Sequence, residues 1–224
     1  DDSASRFVHW GTTTQDVMDT GFVLQMRAAL KVIECRLDQT IKALAKQAET
    51  HQDLIGVART HGQHAVPIVF AQRIVSWLDP LLRNRVRLME IRPRLLVIQY
   101  GGSGGNLSPL RSKGLRVQEM LASSLGLEGT NTPWHTQRDA IAEVAGWLSL
   151  VTGCLAKMGQ DVVLLSQTEV QEVRESLDSK HGGSSAMPHK NNPVASEAII
   201  ALARTNATLL SAVCTLREAC ADGN

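Results

Sequence analysis

A polar stretch at residues 182–193, GGSSAMPHKNNP, carries the densest set of reactive and binding side chains in the chain. Within nine residues, from Ser184 to Asn192, it holds two hydroxyls, an imidazole, an ammonium group and two amides. Its paired glycines and serines disfavour a helix, and yet it lies between two long helical patterns. A polar loop in such a place is typical of binding or catalysis.

Three further polar stretches interrupt the helical patterns: residues 9–16, residues 59–64, and residues 101–106 together with 134–139. Each lies where a helical pattern ends, so we expect several of them to converge on one pocket. The cations, neutral donors and histidines of all these stretches are Arg59, Arg138, Lys190, Thr13, Thr14, Ser184, Ser185, Gln137, Asn192, His9, His61, His64, His135 and His189. This inventory suits a small anionic substrate that carries carboxylates.

Structural roles also account for several of these stretches. Residues 12–14 are typical of a helix cap, and His61 is typical of a surface histidine. Residues 101–106 fit a turn, because they lack the Gly-Lys-Ser/Thr ending of a phosphate-binding loop. The Arg138–Asp139 pair fits a helix-end salt bridge of little energetic value. The stretch at 182–193 has no such account, which makes it the strongest candidate for chemistry.

Carboxylates are sparse among the polar stretches. Asp16, Asp139 and Glu169 are scattered along the chain and do not cluster. A bound metal ion needs several carboxylate, His or Cys ligands close together. The sequence therefore predicts no metal site.

Long helices must position these stretches, because apolar residues recur at spacings of three and four over most of the chain. The predicted helices cover residues 16–52, 67–100, 109–125 and 141–174, and a last helix begins at Asn192–Pro193 with Asn192 as its cap. Pro80 and Pro93 should kink or divide the second helix. The apolar residues from 141 to 165 form a heptad-like seam of the kind found in packed bundles.

No run of alternating apolar and polar residues indicates a strand, so the predicted fold is an all-α bundle of long helices. A helix of some 30 residues is about 45 Å long. Helices of that length cannot enclose one compact core in a chain of 224 residues. We expect their seams to pack against other copies of the chain, which predicts an oligomer.

The composition excludes several function classes. Apolar residues make up 43% of the chain and the net charge is +1, so there is no electrostatic case for nucleic acid. No apolar run reaches the roughly 18–20 residues that cross a bilayer, so no membrane partner is predicted. The four cysteines, Cys35, Cys154, Cys214 and Cys220, form no close pair and fit buried free thiols, which indicates a reducing, cytoplasmic setting.

The stretch at 183–193 resembles the signature of the fumarase/aspartase superfamily, G-S-S-x-M-P-x-K-x-N, at every fixed position. HWGTTTQD at 9–16 and RTHGQ at 59–63 resemble the first and second conserved regions of that superfamily. The resemblance covers essentially the whole chain. It identifies the chain as a member of the superfamily.

Within the superfamily, the chain is most similar to the bacterial 3-carboxy-cis,cis-muconate cycloisomerases. The similarity lies in TTQD at 13–16, RPRLLV at 92–97, the glycines at 101, 102 and 105, and PWHTQRD at 133–139. His61 departs from that subfamily, which commonly has a bulky residue other than histidine there. RTHGQ is more similar to adenylosuccinate lyase, in which the matching histidine is a catalytic acid.

The resemblance implies three mostly helical domains, with a central bundle of five long helices. It also implies a homotetramer with a twenty-helix core and active sites that take loops from three subunits. Residues 1–224 would be the central bundle domain alone, a fragment without the N-terminal and C-terminal helical domains. The abrupt ends of the chain agree with this expectation. No cofactor is implied, and the implied partner is a small polycarboxylate.

The resemblance also implies a reaction. In the cycloisomerases, a substrate carboxylate adds to a double bond within the same molecule and gives a γ-lactone, with proton transfer through an aci-carboxylate, in aromatic catabolism. The implied catalytic residues are Ser184 as base, Lys190 and His61, and the implied substrate-binding residues are Thr13, Thr14, Gln137, Asn192, Arg59 and His9. Two alternatives stay open: a C–N lyase like adenylosuccinate lyase, and a non-catalytic helical oligomer like the lens crystallins of this superfamily.

Overall fold

The computed structural model describes residues 2–176, 187 and 190–219. The described chain is mostly helical, as predicted. Its elements are α1 (Asp2–Ser5), α2 (Thr14–Thr50), β1 (Ile55–Thr60), β2 (Gln63–Val69), α3 (Phe70–Leu95), a 3-10 helix (Ser108–Lys113), α4 (Gly114–Leu125), α5 (Asp139–Leu165) and α6 (Val194–Ala219).

The chain forms two compact units. Of the described residues, the first unit comprises 2–35, 88–144 and 214–219, and the second comprises 36–87, 145–176, 187 and 190–213. Each of the helices α2, α3 and α5 contributes residues to both units. Each unit has a core of its own, described below.

The core of the first unit gathers apolar side chains from α2, α4 and the segments that follow α3 and α4. Its buried members are Val23, Ile98, Tyr100, Leu107, Ala122 and Leu127. Two backbone hydrogen bonds fix these segments, since Ile98 N–H donates to Glu128 O at 2.9 Å and Glu128 N–H donates to Leu96 O at 2.9 Å. The polar residues from 99 to 102 therefore begin directly at a packed core.

The core of the second unit lies between α3 and the end of α5. Ile74, Trp77 and Leu165 are buried in it, and Val170 and Val173 pack against them from the segment after α5. This segment begins earlier than predicted, because α5 ends at Leu165 and not near residue 174. The amides of residues 172 and 173 both donate to Leu165 O, which turns the chain back onto the core.

The prolines of the second long helix were predicted to kink or divide it, and the structure shows that they do not divide it. Pro80 and Pro93 both lie inside a helix that runs from Phe70 to Leu95. Buried residues occur all along this helix, among them Ile74, Leu81, Leu88 and Leu95. Tertiary packing of this apolar face outweighs the loss of one backbone donor at each proline.

The prediction that the chain has no strand is wrong at residues 55–69. Strands β1 and β2 pair antiparallel, with Ile55 opposite Val69 and Thr60 opposite Gln63. The two residues between them, His61 and Gly62, have positive φ of 51° and 76°. Positive φ at both central positions is what a two-residue type I′ hairpin turn requires. Gly62 thus makes a hairpin turn here, where the sequence predicted an irregular loop.

Two of the described helices are long and apolar enough to cross a membrane, which was not predicted. Residues 139–165 and 194–215 each contain an 18-residue window of mean hydropathy 1.4. Within the single chain, 17% and 6% of these windows are buried. Most residues of these windows are therefore half-buried or exposed within the single chain. The predicted burial of the cysteines is likewise wrong for Cys35 and Cys214, which are exposed, while Cys154 is half-buried.

Candidate active site

Asp16 is the most heavily hydrogen-bonded side chain of the first unit, and it is 2% exposed. Its Oδ1 accepts from Gln99 Nε2 at 3.0 Å and from Gly101 N–H at 3.1 Å, and it lies 2.7 Å from His135 Nε2. Its Oδ2 accepts from Thr13 N–H at 3.0 Å and from Gly102 N–H at 2.8 Å. One carboxylate of the stretch at 9–16 thus holds residues of both 101–106 and 134–139.

These hydrogen bonds keep Asp16 ionised. Burial alone would raise the pKa of Asp16, but hydrogen bonds from Thr13, Gln99, Gly102 and His135 outweigh burial and hold the pKa below its usual value of 3.8. From the sequence alone, Asp16 was predicted to be one of several scattered carboxylates. A local signal was present, since Thr13 and Asp16 have the Ser/Thr-x-x-acid spacing of a capping box at the start of α2.

The glycines at 101 and 102 are required by this arrangement. A Cβ on Gly101 would lie 2.4 Å from Pro133 Cγ, and a Cβ on Gly102 would lie 2.8 Å from Gly11 O. Gly102 also has φ of +72°, which side chains rarely adopt. The glycine-rich stretch is therefore neither a plain turn nor a phosphate loop: its first two amides enclose Asp16.

The stretch at 134–139 is fixed by the same network. Gln99 Oε1 accepts from Trp134 N–H at 2.6 Å, and Trp134 Nε1–H donates to Ile98 O at 3.1 Å. Arg138 donates to Asp19 Oδ1 at 2.7 Å and lies over the Trp134 ring at 5.5 Å. Arg138 is thus held by Asp19 of α2. The salt bridge between Arg138 and Asp139 stays a prediction.

Four predicted substrate-binding residues lie in the first unit. Thr13 is half-buried and its amide is held by Asp16, while Thr14 is exposed at the first position of α2. Gln137 is exposed and lines a cavity of about 200 Å³ together with Trp134 and Asp139. His9 is exposed, and its main-chain oxygen accepts from Thr12 Oγ1 at 3.0 Å.

In the second unit, Arg59 of β1 forms a two-pronged ion pair with Glu172. Its Nη1 donates to Glu172 Oε2 at 2.9 Å and its Nη2 donates to Oε1 at 2.5 Å. The hydrogen bonds from Arg59 lower the pKa of Glu172 below its usual 4.5, against the opposing effect of burial. The predicted substrate-binding guanidinium is thus engaged by a carboxylate of the same unit in this structure.

His61 stands at the tip of the β1–β2 hairpin and is exposed. The turn requires a positive φ of 51° at His61, so the backbone conformation of this residue is constrained although its imidazole is exposed to solvent. Within the single chain, the imidazole of His61 is therefore left accessible at the end of the hairpin.

Lys190 and Asn192 line a cleft of about 700 Å³ in the second unit. Lys190 is exposed and its amide donates to Met187 O at 3.0 Å. Asn192 was predicted to cap α6, but the amides of Ala195 and Ser196 donate instead to the carboxylate of Glu175. The predicted base, Ser184, lies outside the described residues. Within the described ranges, no group of three or more His, Cys, Asp and Glu could hold a metal ion.

A family model described as lyase matches residues 2–205 of the chain. The chain belongs to the fumarase/aspartase superfamily of lyases. A superfamily member from Pseudomonas aeruginosa, named 3-carboxy-cis,cis-muconate cycloisomerase, is 48% identical over 211 residues, which are 94% of this chain and 46% of that protein. The crystal structure of 3-carboxy-cis,cis-muconate lactonizing enzyme from Pseudomonas putida matches with a TM-score of 0.87 and 48% identity.

A third relative in the superfamily is the adenylosuccinate lyase of Pyrococcus horikoshii, which is 36% identical over 89% of this chain. The chain covers 44% of that protein and 47% of the Pseudomonas putida structure. It therefore spans about half the length of the relatives that it matches.

Proposed function

We propose that the intact natural protein containing this chain is a 3-carboxy-cis,cis-muconate cycloisomerase. The observation that carries this proposal is the 48% identity to the Pseudomonas aeruginosa enzyme of that name over 94% of the chain. The adenylosuccinate lyase match is weaker, at 36% identity. The described residues correspond to the central helical domain of such a protein, which we place in the cytoplasm as a soluble enzyme.

The reaction is an isomerisation. One carboxylate oxygen of the substrate adds to a carbon of the double bond, and a proton is delivered to the neighbouring carbon. In their acid forms the product and the substrate are isomers, and the ionised substrate takes up one proton that comes from solvent by way of the proton-donating residue. The reaction therefore requires neither an oxidant nor a cofactor. Negative charge builds up on the carboxylate next to the protonated carbon, so the site must supply cations and donors there.

We assign the roles as follows. Ser184 gives and takes the proton, and an alkoxide at neutral pH needs nearby positive charge to stabilise it. Lys190 and Asn192, which line the same cleft, bind the carboxylate where charge develops. Thr13 and Gln137 hold the remaining substrate oxygens from the first unit, with Thr14, His9 and Arg59 as further binding residues.

We infer that the protein is a homotetramer whose active sites combine loops of different subunits. Leu202 and Leu209, seven residues apart on α6, are 68% and 57% exposed in the single chain. On α5, Leu150 and Leu164 are 52% and 49% exposed. The same helices carry the charged residues Arg204 and Lys157, which would be costly to bury in lipid. Their exposed apolar residues therefore fit burial against other helices better than burial in a membrane.

A comparative ultraviolet assay tests the proposal. The intact protein is incubated in parallel with 3-carboxy-cis,cis-muconate, adenylosuccinate and argininosuccinate, and absorbance is followed. We expect loss of the conjugated diene absorbance with the first substrate only, and no loss for the Ser184→Ala variant. Release of fumarate from adenylosuccinate would overturn the proposal in favour of a C–N lyase.

The position of His61 favours adenylosuccinate lyase activity as the second candidate. A catalytic acid is needed to protonate a leaving nitrogen. The support for this role is that His61 lies at the hairpin tip with its imidazole exposed. A parent protein that is silent with all three substrates would instead favour a non-catalytic binding protein.

A further inference from the structure

The start of α6 is held by a carboxylate from a distant segment. The first amides of a helix lack partners inside the helix. At α6, Ser196 N–H donates to Glu175 Oε1 at 2.8 Å and Ala195 N–H donates to Glu175 Oε2 at 3.2 Å. The Ser196 hydroxyl also donates to Oε1, at 2.6 Å. A single side chain therefore fixes the first turn of the helix through three hydrogen bonds.

The same residue holds the chain just before the helix. The main-chain oxygen of Glu175 accepts from Asn191 Nδ2 at 3.2 Å. Lys190 and Asn192, the predicted carboxylate-binding residues, are the two neighbours of Asn191 in sequence. Glu175 thus holds the chain on both sides of Asn192 and immediately after Lys190.

Both ends of this contact are themselves anchored. Ser196 is 6% exposed, and its main-chain oxygen lies so close to α5 that a Cβ on Gly159 would approach it to 3.1 Å. On the other side, Val173 of the segment before Glu175 packs into the core of the second unit. Glu172 of that segment is tied to β1 by Arg59. The Glu175 contact therefore joins the start of α6 to the segment that follows α5, and both are held in place by other contacts.

We propose that Glu175 is a positioning residue that sets the place of Lys190 and Asn192 for substrate binding. The proposal rests on the proposed function, in which these two side chains bind the substrate carboxylate. The Glu175 carboxylate acts through the start of α6, without touching the substrate itself, while the main-chain oxygen of residue 175 holds Asn191. Residues held in place before binding lose less conformational freedom on binding. Loss of the three hydrogen bonds between the Glu175 carboxylate and the start of α6, here called the Glu175 clamp, should therefore weaken substrate binding.

The test compares four variants of the intact protein by steady-state kinetics. Glu175→Ala removes all three carboxylate hydrogen bonds, and we expect KM to rise about tenfold with a smaller change in kcat, as for the loss of a uniform binding interaction. Glu175→Gln keeps one acceptor for Ser196 and should fall between the parent and Glu175→Ala. Ser196→Ala removes the hydroxyl bond from the other end and should raise KM in the same direction. Glu169→Ala is the matched control, because Glu169 is exposed on the same segment.

The double variant Glu175→Ala/Ser196→Ala decides between mechanisms. We expect a KM close to that of Glu175→Ala alone, because both changes break one contact. Additive effects would overturn the proposal, and so would a KM effect of Glu175→Ala that Ser196→Ala does not share, since Glu175 would then act on the substrate directly. An unchanged KM together with a lowered thermal midpoint would reduce Glu175 to a structural cap.

Amide hydrogen exchange separates this proposal from the proposed function. Peptides covering residues 190–197 should exchange faster in Glu175→Ala and Ser196→Ala than in the parent and in Glu169→Ala. If the parent acts on adenylosuccinate instead of 3-carboxymuconate, the proposed function fails, and the KM for adenylosuccinate tests Glu175 in the same way. If exchange at 190–197 is unaffected by Glu175→Ala, the clamp itself is refuted whatever the substrate.

Discussion

Replacing Asp16 by asparagine should destabilise the first unit strongly, although the side chain keeps its shape. Three nitrogens lie within hydrogen-bond distance of Oδ1, those of the Gln99 amide, the Gly101 main chain and the His135 ring. Two main-chain N–H groups donate to Oδ2, those of Thr13 and Gly102. Whichever way the new amide turns, its NH₂ group confronts at least two donors that lose their acceptor. Each buried donor left without a partner costs about 1–3 kcal/mol, and some relaxation is expected. We therefore predict a loss of about 3–5 kcal/mol in the free energy of unfolding, the range found when one partner of a buried charged network is removed.

The pH dependence of this loss follows from the direction of the pKa shift. The pKa of Asp16 in the folded chain lies below its usual value of 3.8, so folding favours the ionised carboxylate. The stabilising contribution of Asp16 is then fully present above the unfolded pKa and is lost as the pH falls through the folded pKa. The stability gap between the parent and Asp16→Asn should stay constant from pH 6 to pH 8. It should narrow as the pH falls below 3.8.

Urea unfolding of the intact protein, followed by circular dichroism at one fixed protein concentration, measures the gap. Concentration must be fixed because association adds to the apparent stability of an oligomer. Asp53→Asn is the control, since it makes the same chemical change at an exposed aspartate. A difference between Asp16→Asn and the control of less than about 1 kcal/mol, a single ordinary hydrogen bond, would refute the reasoning. A gap that persists unchanged down to pH 3 would refute the ionised state.

Three further predictions concern His61, the Arg59–Glu172 pair and α6. His61→Ala should leave the rate of lactonisation largely intact in steady-state assays, and a loss beyond about a hundredfold, the size that general acid–base catalysis supplies, would favour the lyase. Arg59→Ala and Glu172→Ala should each lower the unfolding free energy by about 1–2 kcal/mol, with no further loss in the double variant; additive losses in urea unfolding would contradict a shared contact. Leu202→Asp should dissociate the oligomer in light scattering at micromolar concentration, while an unchanged mass would place Leu202 outside the interfaces.

The helices were predictable because their signal is local. Apolar spacing placed the first long helix at 16–52, and the structure has Thr14–Thr50. The hairpin was missed for a physical reason: most of β2 is exposed on both faces, so its sequence lacks the alternation that reveals a half-buried strand. The pair His61–Gly62 was the available signal, because positive φ at two successive residues suits a hairpin turn.

Motif and chemistry pointed to candidate site residues such as Thr13, Gln137 and Lys190, whose roles stay predictions. The contacts that hold their segments in place were not predicted. The carboxylates that hold their segments act over long sequence separations, with Asp16 reaching Gln99 and Gly102 across more than 80 residues and Glu175 reaching Ser196 across 21. No local pattern reports such contacts, since they exist only once the helices have brought the segments together.

Under the proposed function, these two carboxylates also bear on how a substrate would be bound. A glycine-rich turn and a helix N-terminus are the two backbone features that most readily bind anions. Among the described residues, one glycine-rich turn and the start of α6 are occupied by the protein itself, because Asp16 takes the amides of Gly101 and Gly102 while Glu175 takes those of Ala195 and Ser196. The described cations that line the cleft beside α6 are Lys190 and Arg174, and we propose that these side chains meet the negative charge of a polycarboxylate. We therefore predict that Lys190→Met weakens substrate binding far more than any change at residues 101–106 that leaves the fold intact.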